Sequence, residues 1–292
     1  MLLSNSVDSG AAGVKTDPDM TFHPTTARRG KTADTLFVGS VEKAFAVLRA
    51  FRAGQRDLGL RDLSLSQISQ LSGLDKSASQ RFTNTLVELG YLEKDPQTRR
   101  YRPAIGLTEF YYTYIVSNRL AEIAMPRLIE ASKAFGTTVN LCEPSGTEIV
   151  YTIRVPHEKA FFRATVPGRR MPAYCTASGI VMLAHRPEAE MEAILKASQY
   201  RPITRWTVTD PAEARERIEA ARRDGYAVCA QQAIIHEIST AAPVLNSEGR
   251  AFAAVQVPVY MPEWDEDSVR EKIVPLVIET ARAISGSYFV EH

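Results

Sequence analysis

Residues 73–102 read GLDKSASQRFTNTLVELGYLEKDPQTRRYR, and this stretch decides the fold of the first part of the chain. Asp75 is a residue type that caps the start of a helix and Gly90 is one that ends a helix, so the stretch predicts a helix from about Lys76 to Leu89. Behind this helix, residues 91–93 and 99–102 predict two strands joined by turn-forming residues. The pattern is that of a helix followed by a short, charged β-hairpin.

Two more helices are predicted upstream of this stretch. Apolar residues recur at helical spacing between residues 38 and 51, with Ser40 placed to cap the helix and Gly54 to end it. A second, shorter helix is predicted over about residues 65–72. Three helices followed by a hairpin indicate a winged helix-turn-helix over residues 36–106.

The two faces of the third helix differ sharply in chemistry. One face is apolar and is predicted to pack on the preceding helices; its members are Ala78, Phe82, Leu86 and Leu89. The other face carries hydrogen-bond donors, and no carboxylate occurs between Lys76 and Thr85, which favours contact with base edges in a DNA major groove. An ordinary solvated helix face is the alternative. The predicted base-reading residues are Lys76, Ser77, Gln80, Arg81 and Asn84.

Charge is distributed unevenly along a chain whose net charge is only +1. Residues 36–106 hold 11 Lys and Arg against 7 Asp and Glu, whereas residues 107–292 hold 20 against 23. A basic first part indicates a polyanionic partner, with chance fluctuation as the alternative. The predicted contacts to phosphates or the minor groove are Lys94, Arg99, Arg100 and Arg102.

The remainder of the chain predicts a larger α+β domain. Residues 107–136 read as linker helices, kinked or restarted at Pro126, and residues 137–292 as an antiparallel sheet flanked by helices. Residues 1–35 are polar and aperiodic and predict a disordered tail. The predicted strands are 139–143, 148–155, 161–165, 227–230, 240–245 and 251–259. The predicted helices are 178–184, 187–198, 211–224 and 267–285.

Composition excludes several classes of protein. Of the 292 residues, 45% are hydrophobic and 24% are charged, as in globular proteins with a buried core. No apolar run approaches the roughly 20 residues needed to span a bilayer, and the N-terminus lacks a signal-peptide pattern. The three cysteines have no spacing typical of a disulfide framework or a metal site, which favours a reducing compartment. We therefore expect a cytoplasmic protein.

Several short motifs follow one another in a fixed order along the chain. They are SVEKAF at 40–45, GLDKS at 73–77, Arg81, TLVELGYL at 85–92, YR at 101–102, Pro172, TASG at 176–179, DGY at 224–226 and AAPV at 241–244. In order and spacing they resemble the IclR-type transcriptional regulators over about residues 36–286. The resemblance implies a winged helix-turn-helix, a linker helix and a GAF-like (profilin-like) effector domain. It also implies homodimers or homotetramers that bind double-stranded operator DNA.

The segment from Cys175 to Gly179 precedes a predicted helix, whose free N–H groups suit a carboxylate. Simple capping of the helix by Thr176 or Ser178 is the alternative. The resemblance implies that a small organic acid, aliphatic or aromatic, binds between this segment and the sheet. The implied lining is Ala177, Ser178, Cys229, Ser239, Gln256 and Pro258, with Met171 and Tyr174 as an apolar and aromatic wall. Cys229, Gln231, Gln232, Ile180 and His236 depart from the family's pattern and indicate a less acidic cavity.

The residues also permit two other functions. A cysteine-dependent hydrolase would use Cys175 as nucleophile with His157 or His236 as base, and Ser178 is a weaker nucleophile. No hydrolase, phosphate-loop or zinc-protease motif accompanies them, so we expect no enzyme. A metal-binding sensor would combine His157, His185 or His236 with a cysteine, but no paired ligand spacing supports it. We therefore expect no metal, no cofactor and no membrane partner.

Overall fold

A computed structural model describes residues 36–157 and 166–290 of the chain. They divide into two compact units, with the division in the chain between Glu122 and Ile123, and each unit has a hydrophobic core of its own. The first unit is helical with a small hairpin, and the second contains a six-stranded sheet, so the predicted α+β class is confirmed. The tail predicted over residues 1–35 and the strand predicted over 161–165 lie outside the described residues.

The first unit is the predicted winged helix-turn-helix. Its elements are α1 (Gly39–Leu58), α2 (Leu65–Ser72), α3 (Lys76–Glu88), β1 (Leu92–Lys94), β2 (Tyr101–Pro103), a 3-10 turn (Ile105–Leu107) and α4 (Thr108–Ser117). β1 and β2 pair antiparallel, and Leu63 extends the pairing through two backbone hydrogen bonds with Tyr101 of 2.9 and 2.8 Å. The wing is therefore tied to the loop in front of α2.

The bounds of α1 differ from those predicted. The helix continues through Gly54 to Leu58 and ends at Gly59, whose φ of 64° is the left-handed conformation that glycine adopts readily. Gly54 is buried, and a Cβ there would lie 2.7 Å from Leu63 Cδ2. The absence of a side chain at Gly54 therefore lets Leu63 pack directly against the backbone of α1. The cap predicted at Ser40 is also wrong, because the helix begins at Gly39.

The inward face of α3 is rotated from the predicted one. Its buried residues are Ser79, Thr83 and Leu86, while Phe82 is half-buried and Leu89 is 61% exposed. Small side chains at the centre of the contact let neighbouring helices approach closely. When the buried face of α3 is chosen by hydrophobicity alone, the larger apolar residues are selected and the predicted face is rotated from the observed one.

The helical segment after the wing breaks earlier than predicted. α4 ends at Ser117, and α5 (Arg119–Phe135) continues through Pro126. Between the two helices Asn118 is extended, and its Oδ1 accepts a hydrogen bond of 3.0 Å from the backbone N–H of Leu120. Capping by Asn118 therefore determines where α5 starts.

The second unit is built on one antiparallel sheet. Its strands are β3 (Val139–Ser145), β4 (Glu148–Val155), β5 (Arg170–Pro172), β6 (Ala227–Ala230), β7 (Glu237–Leu245) and β8 (Ala251–Tyr260), in the order β5-β4-β3-β8-β7-β6. Its helices are α6 (Ala177–Ala184), α7 (Glu188–Ala197), α8 (Pro211–Asp224), α9 (Glu266–Ser268) and α10 (Val274–Val290), with a 3-10 turn (Ala173–Cys175) before α6 and a π turn (Val269–Ile273) before α10. Both α6 and α10 contact the central strands β7 and β8.

Two features of this sheet were not predicted. β5 has only three residues, which is too short to show an alternating pattern. β7 begins at Glu237, three residues before the predicted start at Thr240. The sequence alone did not indicate this start, because a charged residue is uncommon in a strand. Among the described residues, no helix combines the length and the apolar character needed to cross a membrane.

Candidate functional site

The predicted base-reading face of α3 is open to solvent. Asp75 caps the helix by accepting a 2.8 Å hydrogen bond from the backbone N–H of Ala78. All five predicted side chains are exposed, and within the described residues they form no hydrogen bond or ion pair. They are Lys76, Ser77, Gln80, Arg81 and Asn84. The donors on this face are therefore available to an external partner.

Arg100 of the wing is held inside the unit. Its Nε donates to Asp62 Oδ1 at 2.5 Å, and its Nη2 donates to the Asp62 carbonyl and to Gln67 Oε1, each at 3.0 Å. Gln67 Oε1 also accepts from the backbone N–H of Ser64 at 2.9 Å, as part of the capping box that starts α2. This side chain, predicted to contact phosphates, thus anchors the wing to α2.

The other three wing cations are held less firmly than Arg100. Arg99 is exposed, and its backbone has a positive φ of 57° at the end of the Asp95 turn. Arg102 forms an exposed ion pair of 2.7 Å with Glu93, and Lys94 lies 5.1 Å from the centre of the Tyr101 ring. Among these wing cations, Arg99 consequently has the fewest side-chain contacts with the described residues.

In the second unit, three of the predicted effector-binding residues line one small cavity. The three are Ala177, Cys229 and Ser239, and the remaining walls come from Tyr151, Cys175, Thr176, Gln232, Ala233, Ile234 and Glu237. The cavity has a volume of about 10 Å³, which is space for about one water molecule. An organic ligand therefore enters only if these walls move.

The start of α6 packs tightly beside this cavity. Thr176 Oγ1 accepts a hydrogen bond of 3.3 Å from the backbone N–H of Gly179, so the helix is capped as the alternative interpretation expected. A Cβ on Gly179 would lie 2.2 Å from the carbonyl oxygen of Ala173. The absence of a side chain at Gly179 thus lets α6 rest directly on the 3-10 turn.

Gln256 lies in a buried chain of amides and a hydroxyl that crosses three strands. Asn140 Nδ2 donates to Gln256 Oε1 at 2.5 Å, and Gln256 Nε2 donates to Ser239 Oγ at 2.6 Å. These bonds connect β3, β8 and β7. Gln256 is therefore outside the lining of the small cavity and orients Ser239, which is part of it.

The remaining predicted effector-binding residues belong to the surrounding core; they are Met171, Tyr174, Ser178 and Pro258. The Tyr174 hydroxyl donates to the carbonyl of Arg201 at 3.0 Å, and its ring centre lies 4.6 Å from that of Tyr200. The Pro258 carbonyl accepts a 3.0 Å hydrogen bond from Thr137 Oγ1. None of the four lines the small cavity.

Glu237 is a cavity residue that the sequence analysis missed. It is 4% exposed, and its Oε2 has no hydrogen-bond partner among the described residues. Burial raises the pKa of this carboxyl to about 8, against the opposing effect of Arg169 and Arg154. The cavity therefore contains a carboxyl that was not among the predicted lining residues, and this carboxyl mostly carries its proton at pH 7. In the sequence, the feature that could have indicated this residue is a single glutamate between Ile235 and Ile238.

The three cysteines are poorly suited to nucleophilic chemistry. Burial raises the pKa of the Cys142, Cys175 and Cys229 thiols to about 12 in each case. A thiol that remains protonated is a weak nucleophile and a poor metal ligand. In the part of the chain that the structure describes, no three His, Cys, Asp or Glu side chains are grouped to hold a metal ion.

Comparison with known proteins matches both halves of the chain. The C-terminal domain model of the bacterial transcriptional regulator IclR matches residues 112–286, and the IclR helix-turn-helix model matches residues 40–96. Together they cover most of the residues that the sequence analysis had compared with this family.

Individual relatives agree with the domain models. The Pca regulon regulatory protein of Pseudomonas putida is 26% identical over 93% of this chain and 91% of its own length. The p-hydroxybenzoate hydroxylase transcriptional activator of Acinetobacter baylyi is 25% identical over 90% of this chain and 95% of its own length. The crystal structure of Thermotoga maritima IclR has a TM-score of 0.62 at 26% identity and covers 85% of this chain and 98% of its own. These proteins are regulators and not enzymes, as expected for this chain.

The helix-turn-helix with its open polar face thus matches the first domain model. The sheet domain that encloses the small cavity matches the second. The chain belongs to the IclR family of bacterial transcriptional regulators.

Proposed function

We propose that this regulator binds a palindromic operator as a homodimer or homotetramer in the cytoplasm and that a small organic acid changes its affinity for that DNA. The observation that carries the proposal is the outward face of α3. Five donor-bearing side chains are exposed there without an internal partner among the described residues, and no carboxylate lies among them. Base edges in a major groove offer acceptors that such side chains pair with.

The first unit also exposes two apolar surfaces that support self-association. The first of them is formed by the start of α1 and the three residues before it, and the second by α4. The exposed residues are Leu36, Phe37, Val38, Val41 and Phe45 in the first, and Phe110, Tyr111, Tyr112, Tyr114 and Val116 in the second. Contiguous apolar patches of this kind usually mark an interface. Two copies related by a two-fold axis would cover them and place two α3 helices on successive half-sites.

The second unit supports an anionic effector with a polar anchor. Since Glu237 mostly retains its proton at pH 7, its hydroxyl can donate a hydrogen bond to a carboxylate, which an ionised glutamate would repel. The relatives named after the Pca regulon and p-hydroxybenzoate hydroxylase support an aromatic acid from a catabolic pathway. We therefore infer that the chain controls catabolic genes.

The DNA-binding part is tested by recovering genomic fragments that the full-length protein binds and measuring affinity for the recovered site and for scrambled DNA. Arg81→Ala is expected to lose about 1–3 kcal/mol of discrimination between the two. Arg223→Ala, an exposed substitution on α8, is the matched control and should change neither affinity. Equal discrimination by the Arg81 variant and the unsubstituted protein would contradict the base-reading role.

The effector part is tested by calorimetric titration of the full-length protein with a panel of benzoate, 4-hydroxybenzoate, succinate and pyruvate. We expect saturable binding of at least one acid, and a change in operator affinity at the same concentrations. If no acid binds, the organic-acid proposal fails, whereas the DNA-binding result stands on its own measurement.

A further inference from the structure

A second and larger cavity lies outside the last strand of the sheet. This outer cleft runs along the free edge of β6, between α8 and the segment formed by α9 and the π turn, and has a volume of about 440 Å³. That size falls within the range of roughly 300–1,000 Å³ found for small-molecule sites. The inner cavity beside Glu237 has about 10 Å³. The outer cleft thus has a volume sufficient for an aromatic acid, whereas the inner cavity does not.

Two cations line the outer cleft, and Arg217 keeps the larger share of its hydrogen-bonding capacity for a ligand. Arg217 of α8 is 36% exposed and donates to Glu213 at 3.0 Å, which leaves further N–H groups of its guanidinium for a ligand. Arg270, on the other side, already donates to Tyr226 Oη at 3.3 Å and Glu266 at 3.4 Å. Asp224 also lines the cleft, but it lies seven residues beyond Arg217, about 10 Å along the helix.

The rest of the lining suits an apolar, planar body. Ile180, Ala221 and Cys229 provide buried apolar walls, and the rings of Trp206 and Tyr226 border the same space. A carboxylate held by Arg217 would therefore leave the body of the ligand against aromatic and aliphatic groups, as in most small-molecule sites.

The outer cleft and the inner cavity share a wall. Cys229 and Gln232 line both of them. The Gln232 side chain is held by two hydrogen bonds, from its Nε2 to the carbonyl of Trp206 at 2.6 Å and to its Oε1 from the backbone N–H of Val208 at 2.8 Å. Trp206 thus contributes to the cleft and also holds the residue that separates it from the inner cavity.

We propose that the outer cleft is a distinct binding site for a small organic anion with an aromatic body, anchored by Arg217. The inference rests on the proposed function for its ligand class. It adds a second site, on the opposite side of the Cys229 and Gln232 wall from Glu237.

Trp206 supplies a direct readout of this site. The chain has two tryptophans, so a full-length Trp264→Phe variant retains Trp206 as its sole tryptophan. Titration with 4-hydroxybenzoate should change its emission saturably, whereas the neutral 4-hydroxybenzyl alcohol should bind about tenfold more weakly because it lacks the charge. In the same background Arg217→Gln should weaken binding of the acid about tenfold and remove its advantage over the alcohol. Arg223→Gln, on the same helix but outside the cleft, should behave like the parent.

A variant of the inner cavity separates the two sites. Glu237→Gln, in the single-tryptophan background, should keep the Trp206 response while losing the effect of the acid on operator binding. If calorimetry shows that the acid binds but Trp206 emission stays constant, or if Arg217→Gln binds as tightly as the parent, the outer site is overturned and the proposed function remains. If calorimetry detects no binding of the acid at all, the outer site is overturned and the aromatic-acid part of the proposed function fails with it.

Discussion

At the scale of single residues, two charged side chains have roles that their sequence neighbours do not reveal. Arg99 and Arg100 are adjacent, yet the first is exposed while the second bonds to Asp62, 38 positions earlier in the chain. Glu237 is buried at the start of β7, although glutamate is usually a surface residue. The sequence predicts a cationic wing, but it does not show which of the wing arginines is exposed, because their partners are set by tertiary contacts.

The adjacent arginines give a matched pair of variants. Arg100→Ala should lower the free energy of unfolding of the first unit by about 1 kcal/mol, a modest value because the ion pair is partly exposed to solvent. It should also weaken binding to every DNA sequence, since the wing loses its anchor to α2. Arg99→Ala should leave stability unchanged and reduce the slope of log affinity against log salt by about 1. Identical effects of the two substitutions on stability would contradict this division of roles.

The raised pKa of Glu237 makes stability depend on pH. Below the ordinary value of 4.5 the carboxyl is neutral in both the folded and the unfolded chain, so burial carries no ionisation penalty. As pH rises from there to about 8, the unfolded chain loses the proton that the folded chain keeps, and the free energy of unfolding falls.

Glu237→Gln removes this titration while preserving side-chain shape. In urea unfolding at pH 5, 7 and 9, the free energy of unfolding of the variant should rise relative to that of the parent protein by about a few kcal/mol as pH increases. Because all other ionisable groups are common to both proteins, parallel pH profiles would show that Glu237 does not titrate as its burial requires.

At the scale of elements, the bounds of α3 were predictable and its orientation was not. Residues 76–89 were predicted and Lys76–Glu88 is observed, since Asp75 and Gly90 act locally at the two ends of the helix. The buried face depends on what α1 and α2 present, and it centres on Ser79 and Thr83. In the second unit, likewise, the start of α6 was found from its capping residues, but Glu237 was missed because burial there is decided by the packing of the sheet.

The buried hydroxyls of α3 lead to a prediction of stabilisation. Ser79 Oγ and Thr83 Oγ1 have no hydrogen-bond partner among the described residues. Thr83→Val keeps the branched shape and removes an unsatisfied polar group, so the free energy of unfolding should rise by about 1 kcal/mol. Thermal denaturation of the two proteins measures the change. Since the outward side chains are untouched, operator affinity should stay the same; a lower melting temperature would indicate that the hydroxyl is satisfied in solution.

At the scale of the whole molecule, the exposed apolar surfaces of α1 and α4 predict how copies associate. Phe45→Glu combined with Tyr112→Glu places charge on both surfaces, where each residue is more than half exposed. Sedimentation equilibrium should then show a shift towards the monomer, because desolvating an unpaired charge disfavours the interface. Affinity for an operator with two half-sites should fall in parallel.

The control for this pair lies in the second unit. Ile235→Glu introduces the same charge at a residue that is 52% exposed and outside both surfaces. It should leave the sedimentation behaviour unchanged. An unaltered oligomer in the double variant would show that self-association uses other surfaces.

The enclosure of all three thiols has a consequence for the cell in which this regulator works. None of them is more than 4% exposed, and burial raises the pKa of each thiol to about 12, so little of the reactive thiolate is present and formation of sulfenic acid is strongly disfavoured. A change in the redox state of the cell would then leave these side chains unaltered, and DNA binding by this regulator would be insensitive to oxidants.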